Sequence, residues 1–284
     1  MKKHPALILL SLACGFCLPV HAAYAVYDCI ISSPGWSAIY DPQSATANTT
    51  TSSVTINCSR AIGKGGDPAN MNYTLEADHG WNPAGTVNQA RLLSGASLLQ
   101  YNEYTDAATS MLWGPAPNAI SGALKFGGSA SASTTVTFYA KTPALQNVAP
   151  GSYSDTVTMT LTYSALITSN VHLVTITVNP VCAFSTPPGN ITFNYTSFQA
   201  TAATASTSFA TLCTNTLPYT MSLDTTSATL LGLTYTLSAP TGTYIGTGIA
   251  QTYSISGTIA AGQSGTCATA TCSGTAVHTL IINY

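Results

Sequence analysis

The stretch that decides the fold is "TVTMTLTY", residues 156–163, in which threonine alternates with Val, Met, Leu and Tyr. Strict alternation of apolar and polar residues is typical of a β-strand with one buried face. The same pattern occurs in "SVTINC" (53–58), "STTVTFYA" (133–140) and "LVTITVNP" (173–180), with Pro and Gly at short intervals between such segments. The sequence therefore predicts an all-β protein.

The first 25 residues predict a secretory signal peptide. Lys2 and Lys3 precede an apolar run over residues 6–18, and small residues allow cleavage after Ala22 or Ala25. The apolar run of about 13 residues is too short for a membrane span. We expect an exported protein that acts in an extracellular setting.

Six cysteines follow the leader, and an even number in an exported chain indicates disulfides. Two pairs have similar spacing, 29 and 31 residues, and the third pair follows by elimination. The predicted bonds are Cys29–Cys58, Cys182–Cys213 and Cys267–Cys272. Metal binding is the rejected alternative, since no CxxC follows the leader and the histidines are scattered singly.

Charge is scarce, since only 6% of the residues are charged. After the leader, five basic residues face nine acidic ones, and Asp224 alone is charged beyond residue 165. Such a chain cannot neutralise a phosphate backbone, so nucleic acid is excluded as a main partner. The sequence contains none of the usual catalytic motifs, and we expect neither an enzyme nor a cofactor.

The chain also repeats one plan. Each cysteine pair is followed by a Tyr-Thr strand, "NYTLEAD" from residue 72 and "PYTMSLD" from residue 218, and each half ends in an alternating strand closed by tyrosine. This repetition predicts two immunoglobulin-like β-sandwich domains, 26–165 and 180–284. The connecting segment 166–179 is long and β-branched, so we expect residues 166–173 to close the first domain and residues 174–181 to open the second.

Two stretches, "RLLSGASLLQYNEYTDAATSMLWG" (91–114) and "VAPGSYSDTVTMTLTY" (148–163), resemble the spore coat U domain family, which includes subunits of archaic (Csu-type) chaperone–usher pili. The resemblance implies a pilin-type sandwich whose second domain lacks its last strand. A periplasmic chaperone, an outer-membrane usher and an adjacent pilin subunit donating its N-terminal strand are the implied partners. Donor-strand contacts are expected at the C-terminus, at Val277, Leu280, Ile282 and Tyr284.

The segment "HAAYAVYDCI" (21–30) indicates the position in the pilus. Either cleavage leaves only a few residues before Cys29, whereas a donated strand needs about ten. A subunit that accepts a strand without donating one belongs at the tip. The sequence therefore predicts a tip subunit that attaches to abiotic or host surfaces and supports biofilm formation.

Three loops are candidates for that contact: residues 59–72, which form an insertion absent from the second half, 78–88, and 113–124. Tip subunits of the resembled pili have apolar finger-like loops of this kind. The predicted surface-binding residues are Ile62, Trp81, Pro115, Ala116, Pro117, Ala119 and Ile120. Two alternatives remain open: a carbohydrate-binding fimbrial lectin that uses Trp81, Tyr101 and Tyr104, and a secreted structural coat protein.

Overall fold

The structure, a computed structural model, describes residues 27–61 and 68–284. The predicted signal peptide lies outside the described residues. The first half contains strands β1 (Tyr27–Ser32), β2 (Trp36–Tyr40), β3 (Asn48–Arg60), β4 (Asn70–Ala77), β5 (Asn88–Leu92), β6 (Leu98–Tyr104), β7 (Ile120–Lys125), β8 (Ser131–Thr142), β9 (Gly151–Tyr163) and β10 (Leu166–Val178). Within the described chain, no helix is both long and apolar enough to cross a membrane.

The second half contains β11 (Cys182–Thr186), β12 (Ala203–Cys213), β13 (Pro218–Leu223), β14 (Ser227–Leu230), β15 (Leu233–Ser238), β16 (Thr243–Ile245), β17 (Gln251–Ile259) and β18 (Leu280–Asn283). These strands form a five-stranded sheet, β11-β12-β17-β15-β14, and a three-stranded sheet, β16-β13-β18. The fold is all-β, as predicted.

The first half is one folded-over sheet of ten strands. Strands β1-β3-β8-β6 form one layer, and β6 also pairs with β5, which leads into the second layer of β9, β10 and β2; β4 pairs with β9 and β7. The two inner faces share a single apolar core. The alternation of residues 156–163 explains this architecture, because Val157, Met159, Leu161 and Tyr163 are buried while the threonines between them face outward.

The segment between the two predicted domains is part of the first sandwich. Strand β10 pairs antiparallel with β9 over its whole length, from Leu166 opposite Tyr163 to Val178 opposite Gly151. Ser164 and Ala165, both with positive φ, form the two-residue turn that such a hairpin requires. The expectation that residues 174–181 open the second domain is therefore wrong, since the core of the first half buries Val174, Ile176 and Val178 and the second sheet begins at Cys182.

Three disulfides join the cysteine pairs that the sequence predicts. Cys29 and Cys58 face each other across β1 and β3, and Cys182 and Cys213 face each other across β11 and β12. Cys267–Cys272 closes an exposed loop. Each of the first two bonds therefore ties the first strand of its half to the strand beside it.

Polar contacts join the two halves. The side-chain amide of Gln43 donates to the backbone oxygens of Leu212 at 2.9 Å and Val181 at 3.4 Å. The amide of Asn147 donates to the backbone oxygen of Thr247 at 3.0 Å. The second half therefore meets the first at the end where β10 stops.

The crossover from β1 to β2 depends on Gly35, which has a φ of +70°. A Cβ at this position would collide with the backbone oxygen of Leu173 in β10. Gly35→Ala should therefore lower the free energy of unfolding by about 2–5 kcal/mol, because left-handed strain and overpacking add. Equilibrium urea denaturation measures the loss.

Gly127 provides the matched control. Its φ is +55°, yet a Cβ there would meet no atom within 4 Å. Gly127→Ala should cost only the strain of about 1–2 kcal/mol. Equal losses in the two variants would contradict the close approach of β1–β2 to β10.

Candidate strand-acceptor groove and surface-contact loops

The C-terminal strand β18 brings together two of the four residues predicted to contact a donor strand. Leu280 and Ile282 are half-buried and pack on the core cluster that includes Met221 and Ile255. Val277 is 88% exposed, Tyr284 is 60% exposed, and both lie just outside β18. The strand therefore presents Leu280 and Ile282 to the core and leaves the flanking pair on the surface.

Among the described residues, β18 pairs with β13 alone. Its counterpart in the first half, β9, is flanked by β4 and β5 on one edge and by the full length of β10 on the other. An extended strand exposes a row of backbone N–H and C=O groups at an unpaired edge. The free edge of β18 is thus chemically equivalent to the edge that β10 covers in the first half.

Residues 191–195 form the other side of this opening. Ile191, Phe193 and Tyr195 are half-buried, while Thr192 and Asn194 between them are exposed, although the segment is in no strand of the structure. Ile191 packs on the same cluster as Leu280 and Ile282. In the first half, β2 has the corresponding place and pairs in parallel with β10. Residues 191–195 therefore alternate as a half-buried strand does, although they pair with no strand among the described residues.

The apolar core of the second half is divided into two clusters. The first half has one continuous cluster of buried residues, whereas the second half has two separate clusters, one around Phe209 and Tyr219 and one around Tyr235 and Leu237. Ile191 and Leu223 lie half-buried against both. An added extended strand with inward apolar side chains would cover these residues and satisfy the edge of β18.

Trp81 is a strongly exposed predicted contact residue, with 82% of its surface accessible. Its backbone N–H donates to Oδ1 of Asp155 at 2.8 Å, and a Cβ on Gly80 would collide with the same carboxylate. Asp155 is buried and also accepts from the Tyr101 hydroxyl at 2.9 Å. The loop backbone is therefore fixed to the core while the indole projects into solvent.

Burial raises the pKa of Asp155, and hydrogen bonds from the Trp81 N–H, the Tyr101 hydroxyl and the Thr156 N–H act in the opposite direction. The pKa of Tyr101 is raised far above its usual value by burial and by the nearby carboxyl groups of Glu103 and Asp155. The Tyr101 hydroxyl therefore stays protonated and donates to Asp155. This hydrogen bond fixes the Asp155 carboxylate, which in turn accepts from the Trp81 N–H and holds the loop that contains Trp81.

The loop after Trp113 is anchored in the same manner. The buried indole of Trp113 donates to the backbone oxygen of Leu75 at 3.0 Å, and the Ala116 N–H donates to Glu76 at 3.2 Å. Pro115, Ala116 and Pro117 are exposed, whereas Ala119 and Ile120 are half-buried. The exposed part of this predicted contact is therefore the segment 115–117.

The structure does not bring all three predicted loops together. Ala77 and Ile120 lie at one end of the β4–β7 pair, so the loops that contain Trp81 and Pro115 are neighbours. Arg60 donates to the backbone oxygen of Pro68 at the opposite end of β4. Ile62 lies outside the described residues, but the ends of its loop are at the far end of the sandwich. The loops that contain Trp81 and Pro115 therefore lie at one end of β4, and the described ends of the loop that contains Ile62 lie at the other.

The aromatic set of the carbohydrate-binding alternative is also not assembled. Tyr101 is fully buried and its hydroxyl is bonded to Asp155. Tyr104 is half-buried, and Trp81 alone is freely exposed. These three rings therefore provide no shared stacking surface for a sugar.

A polar cluster in the first core went unnoticed in the sequence. Glu103 accepts from the Trp36 indole N–H and lies against Nε2 of His172, each at 2.7 Å, and both Glu103 and His172 are buried. The signal that could have found them is phase: Glu103 follows Leu99 and Tyr101 at intervals of two, and His172 precedes Val174 and Ile176. Alternation places both side chains on the inward face.

Comparison with known proteins gives one family match. The model of the Spore Coat Protein U domain matches residues 16–160. No curated protein matches the chain significantly. The match covers strands β1 to β8 and most of β9.

Several solved structures are similar to the chain. The CsuC-CsuE chaperone–tip adhesion subunit pre-assembly complex of archaic chaperone-usher Csu pili of Acinetobacter baumannii is 13% identical, with 89% of this chain and 99% of that chain covered and a TM-score of 0.46. The CupB6 tip adhesin from Pseudomonas aeruginosa is 11% identical, with 92% and 96% covered and a TM-score of 0.38. The CooA pilin subunit from enterotoxigenic Escherichia coli is 12% identical, with 54% and 98% covered and a TM-score of 0.36.

Each of these TM-scores is below 0.5, so the assignment rests on the family model. That model spans just over half of the sequence, and the folded-over sandwich agrees with the pilin-type architecture expected from the resemblance. The chain belongs to the spore coat protein U domain family.

Proposed function

We propose that the protein is the tip subunit of an archaic chaperone–usher pilus. In this proposal the second half accepts an extended strand, first from a periplasmic chaperone at the outer-membrane usher and then from the adjacent pilin subunit. The first half contacts abiotic or host surfaces and thereby supports biofilm formation. The protein would pass through the periplasm and act outside the cell.

The observation that carries the proposal is the difference between the two halves. Strand β9 lies next to the chain's own β10, and β10 lies next to β2. Strand β18 and residues 191–195 have the corresponding places in the second half, with no described strand between them. Strand addition at a sheet edge supplies backbone hydrogen bonds, and pockets for alternate side chains supply specificity. The second half therefore offers both parts of such a site.

The proposed tip position is supported by the start of β1. Strand β1 begins at Tyr27 and is paired with β3 from its first residue. Cleavage after Ala22 would leave four residues ahead of β1, and cleavage after Ala25 would leave one. A strand that fills a groove needs more residues than that, since typical strands have five or six. The proposed subunit therefore receives a strand and gives none.

Surface attachment is supported by the exposed indole of Trp81 beside the exposed 115–117 segment. A Trp ring laid on a flat surface removes from water roughly half of the about 150–250 Å² that it buries in a core, which at about 25 cal/mol per Å² favours attachment by about 2–3 kcal/mol. The anchoring of the loop to Asp155 lowers the entropy lost on contact. A rigid apolar projection of this kind suits attachment to hydrophobic surfaces.

The strand-acceptor proposal predicts stabilisation by a fused strand. A copy of residues 166–178 carrying His172→Leu, attached after Tyr284 through a flexible Gly/Ser linker, should raise the free energy of unfolding by at least about 2 kcal/mol, since it buries several apolar side chains. Urea denaturation measures the change. A matched fusion with Ser at the Val174, Ile176 and Val178 positions should give no gain, and equal stability of the two fusions would refute the groove.

The attachment proposal predicts a specific loss on Trp81→Ser. Adhesion of the purified protein to polystyrene should fall by about tenfold or more, because the main exposed apolar contact is removed. Phe198→Ser is the control, since Phe198 is 72% exposed but lies in the second half. Equal losses in the two variants would show that attachment has no preferred site on the first half.

A further inference from the structure

The buried cluster of Glu103, His172 and Trp36 joins three strands. Glu103 lies on β6, His172 on β10 and Trp36 on β2. Oε1 of Glu103 is 2.7 Å from the Trp36 Nε1 and 2.7 Å from the His172 Nε2, and the side chains of Glu103 and His172 are at most 1% exposed. The cluster therefore ties the closing strand and its parallel neighbour to the opposite layer.

The surroundings of the cluster are apolar. The imidazole of His172 stacks on Phe138 with ring centroids 5.3 Å apart and lies 6.5 Å from the ring of Trp113. Within residues 27–61 and 68–284, Oε2 of Glu103 and Nδ1 of His172 have no hydrogen-bond partner. Since no other polar group compensates them, Glu103 depends on the two donors from β10 and β2.

A buried polar cluster of this kind is stable only when each side chain keeps its hydrogen-bond partner. Removing one partner from a buried pair leaves an uncompensated polar group and is strongly destabilising, whereas replacing the whole pair by apolar residues can be nearly neutral. A strand with apolar residues at every inward position would leave Glu103 without its donor from the closing strand. Strand β10, with His172 in phase with Val174 and Ile176, supplies that donor.

The groove of the second half has no equivalent group. Among the described residues, the buried Asp, Glu and His side chains are Glu103, Asp155 and His172, all in the first half. The cluster next to β18 is lined by apolar residues such as Ile191, Leu280 and Ile282. The side-chain carboxylate of the second half, Asp224, is 38% exposed and lies 3.3 Å from His278, so an inward histidine would find no buried, unpaired carboxylate there.

We propose that the Glu103–His172–Trp36 cluster is a strand-identity lock. It makes the first groove specific for the chain's own histidine-bearing strand, and it leaves the second groove as the acceptor of a foreign, wholly apolar strand. His172 and Glu103 are thus the specificity-determining residues of strand completion. The inference about the second groove rests on the proposed function; the inference about the first groove does not.

The first test is a double-mutant cycle on the full chain. Glu103→Leu and His172→Leu should each lower the folding equilibrium constant by on the order of 100-fold or more, since each leaves a buried group unpaired. The double variant should fold at least as well as either single variant, since it leaves only the Trp36 indole N–H unpaired. Additive losses would overturn the lock, because they would show that each side chain contributes only its own packing.

Trp36→Phe keeps the cycle decisive if the leucine variants do not fold. This variant keeps an aromatic ring at the position and removes the indole N–H that Glu103 accepts, together with part of the indole volume. Amide hydrogen exchange over residues 171–178 of β10 should become at least about tenfold faster, while exchange in β12 and β17 of the second half should not change. Unaltered exchange in β10 would overturn the lock.

The second test uses two synthetic peptides of residues 166–178, one unaltered and one carrying His172→Leu. Isothermal titration of the full chain should show that the leucine peptide binds at least about tenfold more tightly, because the second groove offers the imidazole no partner. Equal affinities would overturn the opposite preferences of the two grooves. If neither peptide binds, the proposed function fails, and the double-mutant cycle still decides the lock in the first half.

Discussion

The pairing of one strand edge governs the structure of this chain. Strand β9 is satisfied on both edges because a two-residue turn returns the chain as β10, and all thirteen residues of β10 pair with it. The corresponding strand of the second half, β18, is paired on one edge by β13. Buried or apolar-flanked backbone groups must find partners, and this requirement is met at both edges of β9 but, among the described residues, at one edge of β18.

The strands were predictable from the sequence because their alternation is nearly perfect. In β9 and β3 the buried positions are those that period two assigns to the inward face. The end of β10 was not predictable in this way, since residues 174–178 alternate equally well whether they belong to the first sheet or the second. Pairing with β9 decides the matter, and hydrophobic periodicity contains no information about which partner a strand selects.

For the candidate contact residues, the sequence likewise indicated which segments are loops but not which loops lie together. Pro115, Trp81 and Ile62 lie in loops rich in Gly and Pro, and that composition identified them as surface segments. Their relative positions depend on β4, whose two ends lie next to different loops. Tyr101 was a plausible sugar-stacking residue in the sequence, yet its phase with Leu99 places it in the core and bonds it to Asp155. Position in a loop indicates exposure, whereas assembly of a site requires the tertiary pairing.

In a chain with so little charge, polar residues at inward-facing strand positions act differently from the apolar residues beside them. Only 6% of the residues are charged, and the first half nevertheless buries Glu103 and Asp155. Asp155 fixes a surface loop through the Trp81 N–H, and Glu103 fixes the closing strand through His172. Hydrophobic burial alone would stabilise either half, but it does not distinguish one alternating strand from another, because every such strand presents similar apolar side chains. In the first half, the directional contacts of Glu103 with His172 and Trp36 supply that distinction for the closing strand.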